Sequence, residues 1–188
     1  MVPVNRWLEV SGALTRAQFF HQGKLYSGSE FLKRSGRTDF APIRCVIAVE
    51  LDTSLRGVRN FTSIQARSNQ LCQWTFGCAA GHPVLRDVIA AVVRKIRSTS
   101  VVEFEFADVL EVTGPGIYTD SVRNYLNQHI GLAERDYDLL GNVSNPRVFG
   151  DILLLPEVSF REPDKTHPEW RDSLLVWHHF AGTWRHRA

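Results

Sequence analysis

Nothing in this sequence is long, repeated or strongly charged. Its 188 residues include only three cysteines and one methionine. Cys45, Cys72 and Cys78 lack the paired close spacing of a zinc site. Cys72 and Cys78 fall in a stretch that reads as helical, so buried free thiols are expected. The 22 Lys and Arg against 20 Asp and Glu leave a net charge of +2, and no stripe of cations runs along any segment. A nucleic-acid partner is therefore not expected. No run approaches the roughly 18 apolar residues that cross a bilayer. The opening "MVPVNRWLEVSGAL" also lacks the apolar core of a signal peptide. As written, the chain is expected to have no route into the secretory pathway. The sequons at Asn60 and Asn142 would matter only in a secreted protein. Repeats and low-complexity tracts are missing too.

What remains is an ordinary globular composition, 44% hydrophobic and 22% charged, enough for one domain with a core. Residues 1 to 43 show weak periodicity and are expected to be poorly defined. From Arg44 the character changes: "RCVIAVEL" is a short apolar, β-branched run, the mark of a buried strand. "SNQLCQWTFGCAA" reads as a helix starting on a Ser or Asn cap and ending at Gly81. "HPVLRDVIAAVVRKIRS" is the clearest helix. Pro83 suits its first turn, Val84, Val88, Ala91, Val92 and Ile96 form the expected core face, and Arg94, Lys95 and Arg97 gather where the dipole favours cations. "TGPGIYTDSVRNYLNQ" predicts a Gly-Pro-Gly turn and a helix capped at Thr119, and "DILLLPEVSF" and "SLLVWHHF" predict late strands. Mixed helices and strands imply a layered α/β domain.

Four stretches hold residues that could do chemistry. Glu50 and Asp52 close the strand of "VIAVELDTS", where α/β sheets often place ligand-binding carboxylates; a solvated strand end is the plain alternative. His82, before a proline at a helix start, reads as local capping, and Trp74 as core. The turn at Gly114 and Pro115 opens a helix, whose free N–H groups suit an anion or a sugar hydroxyl, or simply a turn with a cap. In "HHFAGTW", an imidazole can ligate a cation and Gly-Thr lets phosphate oxygens approach, while rings filling a closing strand is the other reading. Strand alternation would put His178 on one face and His179 on the other.

In order, "QWTFGCAAGHPVL", "VTGPGIYTDSV", "FGDILLLPEVSF" and "VWHHFAGTW" resemble the C-terminal half of glycosyltransferase family 32. Within it the likeness is to the fungal initiation-specific α-1,6-mannosyltransferases of the Golgi. "VIAVELD" is similar to that family's strand ending in E-x-D, and the likeness covers about residues 44 to 185. It implies an α/β, GT-A-like nucleotide-sugar transferase fold, with 44–188 as its C-terminal part and the N-terminal donor-binding half missing. It also implies GDP-mannose as donor, an N-glycan acceptor, a manganese ion and a type II Golgi anchor, which residues 1 to 43 do not resemble.

Carried over by position, Glu50 and Asp52 become the catalytic candidates. Gly114, Pro115, Thr119, Gly182, Thr183 and Trp184 become donor-binding, and His178 the metal ligand. Arg185 stands where the family usually has lysine. Family members also carry an Asp-x-Asp pair well before the E-x-D strand, and no such triplet is expected anywhere in this sequence. The chain is therefore expected to lack that motif and to be impaired in transfer. The alternative is a catalytically silent half-domain, a binding or interaction module in a mannosyltransferase complex.

Overall fold

The fold is that of a computed structural model, which describes residues 16–52, 66–100, 109–160 and 174–179. Strands β1 (Gln18–His21), β2 (Lys24–Ser27), β3 (Cys45–Asp52), β4 (Asn69–Leu71), β5 (Gly77–Cys78), β6 (Arg147–Phe149) and β7 (Ile152–Leu155) form one mixed sheet. Its order is β2-β1-β6-β7-β3-β4, with β5 also paired to β3. β3 runs parallel to β7, and β1 parallel to β6; the other pairs are antiparallel. The helices are α1 (Gly28–Ser35), α2 (Pro83–Ser98), α3 (Val109–Val112) and α4 (Pro115–Ile130), with 3-10 turns at Glu134–Leu140 and Glu157–Ser159. A mixed α/β layering of this kind is consistent with a glycosyltransferase fold. Among the described residues, no helix is long and apolar enough to cross a membrane.

Alternation along β3 sets up the two cores. Cys45, Ile47 and Val49 point into one, with Tyr118, Val122, Tyr125 and Leu126 of α4 and Val84 of α2. Val46 and Ala48 point into the other, with Leu153, Leu155 and Phe160, closed by Phe31 of α1, Trp74, Leu175 and Val176. With both faces covered, β3 and β7 read as unbroken apolar runs.

The sheet corrects several expectations. Residues 1 to 43 are not a separate, ill-formed segment throughout: β1 and β2 join the sheet and bury Phe19 and Phe20. Gln22 and Gly23, at φ 47° and 81°, make the tight β1–β2 turn that hides this hairpin from periodicity. Residues 68–80 are not a helix. Cys72 N–H donates to the Ala48 carbonyl (2.8 Å) and Ala79 N–H to that of Arg44 (2.7 Å), so β3 claims this backbone for short strands. Pairing with a formed strand outweighs local propensity. Nor are all three cysteines free, since Cys45 and Cys78, opposed across β3 and β5, form a disulfide and leave Cys72 as a buried free thiol.

α2 forms where expected, with Pro83 in its first turn and the His82 Nδ1 accepting from Val84 N–H at 3.2 Å. Only Val84 is buried, however, and Ile96, expected on the core face, is exposed. α4 begins at Pro115 with Gly114 as N-cap, so Thr119 lies one turn inside the helix and caps nothing. Of "SLLVWHHF", the described part makes a single parallel bridge, Val176 to Phe160.

Candidate functional site

The parallel pair β3 and β7 ends on one side of the sheet, and each chain leaves it with a distinct cargo. β3 delivers Glu50 on the face of Val46 and Ala48. β7 leads through the Glu157–Ser159 turn to Phe160, whose bridge to Val176 brings in the segment carrying His178. The Ser159 carbonyl accepts from Leu175 and Val176 N–H (2.9 and 3.1 Å), which fixes that segment.

Glu50 is half-buried. Its Oε2 accepts from the Gln70 amide at 2.9 Å, and Gln70 Oε1 in turn accepts from Ala66 N–H at 2.8 Å. Burial pushes the Glu50 carboxyl above its ordinary range. The hydrogen bond from Gln70 and the polar edge of the Trp74 indole act against that, and the Glu157 charge adds to it. Such a carboxyl sits closer to the range where it can exchange a proton near neutral pH. Neighbouring Cys72 has its thiol pushed up to about 12, first by burial and also by the Glu50 charge, which disqualifies it as a nucleophile.

Trp74 forms the wall beside Glu50. The His178 ring stacks on it at 4.1 Å between centroids, and Phe160 lies tilted behind it at 6.3 Å. Burial, then the charge of His179, holds His178 below the usual imidazole range. Its neighbours face the other way: His179 stacks on Trp177 at 4.9 Å, and Trp177 is 55% exposed. The alternation expected of "WHHF" therefore holds through His179.

The remaining sequence-predicted residues separate into three groups. Asp52 is fully buried, and its carboxylate accepts from Asn142 N–H and, with the Asn69 amide correctly oriented, from Asn69 at 3.1 Å. It ties the end of β3 to β4 and to the loop before β6, so of the two carboxylates only Glu50 belongs to the rim.

Gly114 and Thr119 serve the fold around the start of α4. A Cβ on Gly114 would stand 2.5 Å from the Leu110 Cα, so glycine is needed for α3 to meet α4. Thr119 Oγ1 accepts from Leu71 N–H at 3.0 Å and holds β4. Pro115 opens the helix, and Gln73, beside Trp74, reaches the Thr113 carbonyl at 2.6 Å. Gly182, Thr183 and Trp184 lie outside the described residues.

Sequence reasoning missed Gln70, Glu157 and the wall role of Trp74. It also missed Arg67, whose guanidinium takes Asp120 and both oxygens of Glu111 (2.6 and 2.9 Å). These contacts, Asp120 first, hold Arg67 further above its ordinary range. The long sequence separations left no local signal for any of these pairings.

Two metal questions have definite answers. The sequence does contain an Asp-x-Asp, at Asp136-Tyr137-Asp138, contrary to the expectation that it had none. It follows rather than precedes Glu50, and it lies in the Glu134–Leu140 turn, where 3-10 geometry points residues i and i+2 in different directions. Among the described residues, one trio of ligand-type groups converges, Cys45, Cys78 and His82. Its thiols are joined in the disulfide, and His82 uses Nδ1 for Val84 N–H and Nε2 for Asp151 at 3.2 Å. Among the described residues, that trio is the one found, and it includes neither Glu50 nor His178.

No family model matches the chain, and no solved structure matches it. Among curated proteins, it is 31% identical over 150 residues to an initiation-specific alpha-1,6-mannosyltransferase of Schizosaccharomyces pombe, covering 76% of this chain and 36% of that protein. It is 32% identical over 143 residues to the protein of the same name from Candida albicans, covering 64% of this chain and 37% of that one. The chain thus spans just over a third of the length of these relatives. The ordered motifs therefore reflect true relationship, and the chain is similar over just over a third of their length to proteins named initiation-specific alpha-1,6-mannosyltransferase.

Proposed function

We propose that the chain forms the acceptor side of a GT-A-type mannosyltransferase site, working on an N-glycan acceptor with GDP-mannose as donor, in the Golgi. The observation that carries this reading is the meeting of Glu50, Gln70 and the Trp74–His178 stack at the ends of β3 and β7. A sugar offers hydroxyls to a carboxylate and an amide, and an apolar C–H face to a ring. In transfer, an acceptor hydroxyl oxygen attacks the anomeric carbon of mannose while the bond from that carbon to the diphosphate oxygen breaks. The hydroxyl proton needs a base, and Glu50 is the group for it, its carboxyl being raised by burial. Trp74 and Gln70 position the acceptor.

A second reading, a catalytically silent binding module within a mannosyltransferase complex, is favoured by one observation. Arg67, tied to α4 through Asp120 and to α3 through Glu111, already has its charge paired among the described residues.

One pair of measurements tests both readings. A mannose-terminated oligosaccharide is titrated against the chain and its Glu50→Gln variant, and mannose transfer from GDP-mannose is followed with and without manganese. Binding that weakens about tenfold in Glu50→Gln, about 1.4 kcal/mol, with little or no turnover by this chain, is expected. Robust manganese-dependent turnover would remove the silent-module reading. Absence of oligosaccharide binding would remove the acceptor site.

A further inference from the structure

We propose that Asn142 is an N-linked glycosylation site, and that the chain accordingly matures in an oxidising, glycosylating compartment. Asn142-Val143-Ser144 is a sequon lying in the irregular loop between the Glu134–Leu140 turn and β6. Asn142 and Ser144 are exposed, while Val143 between them is buried, so the loop is anchored by its middle residue and presents both recognition groups outward.

The backbone of Asn142 is fixed as firmly as its side chain is free. Its φ of 48° is in the left-handed region, which asparagine tolerates better than other non-glycine residues. Its N–H donates to the buried Asp52 carboxylate, and its carbonyl accepts from Arg147 Nη2 at 2.9 Å. The same guanidinium holds the carbonyls of Leu139 and Gly141, each at 2.7 Å. Neither the Asn142 nor the Ser144 side chain hydrogen-bonds to another described residue. A glycan here would displace no side-chain hydrogen bond among the described residues, and the anchors that set the loop are backbone contacts.

An independent observation concerns the compartment. Cys45 and Cys78 form a disulfide, and disulfides persist where thiols are not kept reduced. Those are also the compartments in which sequons are modified. The donor is a lipid-diphosphate-linked oligosaccharide, supplied with its transferase by the secretory pathway. The Asn142 amide nitrogen forms a bond to the anomeric carbon of the first sugar and loses one proton. The bond from that carbon to the diphosphate oxygen breaks, and the lipid diphosphate leaves with the electron pair.

The chain is expressed behind a cleavable secretory leader in a glycosylating host, and the secreted protein is mapped by peptide mass before and after endoglycosidase. The peptide holding Asn142 should carry an endoglycosidase-sensitive glycan. Ser144→Ala should abolish it, and Ser144→Thr, which keeps the hydroxyl, should retain it. Asn60, on a different peptide, is scored separately. An unmodified Asn142 in the secreted wild-type chain overturns the proposal, whether or not Asn60 is occupied. So does occupancy that survives Ser144→Ala.

Discussion

The His178 imidazole lies on the Trp74 indole, ring centroids 4.1 Å apart and planes 24° from parallel. The contact joins the chain's last described segment to the turn between β4 and β5, two regions with no secondary structure in common. Aromatic stacks of this kind contribute about 0.5–1.5 kcal/mol beyond burial, so His178→Ala should destabilise by about that amount. His179→Ala, on the outer side, should cost within about 0.5 kcal/mol. Because burial lowers the His178 pKa below 6.5, the neutral ring is favoured in the fold. Its stabilisation is therefore present above pH 6.5 and lost as pH falls through the lowered folded value. Urea titrations from pH 5 to 8 should show a shallower pH slope for His178→Ala than for wild type.

Glu50 has the opposite sign. Its folded pKa is raised above 4.5, so the protonated form is favoured in the fold. Stability from this group is fully present below its unfolded pKa and is lost as pH rises through the folded one. Glu50→Gln keeps the shape and removes the charge. Its thermal midpoint should match wild type at low pH and exceed it increasingly as pH rises toward neutrality, even as oligosaccharide binding falls. A variant less stable than wild type at pH 7 would mean that the Gln70 hydrogen bond outweighs desolvation.

Asp52 and Thr119 should behave as structural residues. Thr119→Val strands the buried Leu71 N–H and should cost about 1–3 kcal/mol, while Asp52→Ala removes the acceptor of the part-buried Asn142 N–H and should also destabilise. Urea unfolding should show lowered midpoints with unchanged slopes. If Asp52→Asn, which retains an acceptor, matched wild-type stability but abolished oligosaccharide binding, Asp52 would instead belong to the site.

The Cys45–Cys78 disulfide predicts one alkylatable thiol in the denatured, unreduced chain, Cys72, and three after reduction. Reduction should cost about 2–4 kcal/mol, as for loops of ordinary length. Three reactive thiols before reduction, in protein purified from an oxidising compartment, would contradict the pairing.

Much of the frame was legible from local pattern. β3 and β7 read as buried strands because both sheet faces are covered, which leaves an unbroken apolar run. α2 was marked by Pro83 and the histidine cap, and the outward and inward faces of His179 and His178 followed from alternation. The ordered motifs carried the relationship to mannosyltransferases without any structure at all.

What tertiary structure alone decided is which residues meet, because that depends on pairings far apart in the chain. The stretch 68–80 has helix-like composition but lies against β3, whose unpaired edge takes its N–H groups. The same strand pairing opposes Cys45 and Cys78, so spacing along the chain gave no hint of their bond. Glu50 and Asp52, two residues apart at one strand end, part company at an irregularity in the β3–β4 register between Val49 and Leu51. One carboxylate reaches Gln70 and Trp74 on the rim, and the other is consumed inside by Asn69 and Asn142. Sequence named the pair of carboxylates; the register of β4 against β3 chose between them.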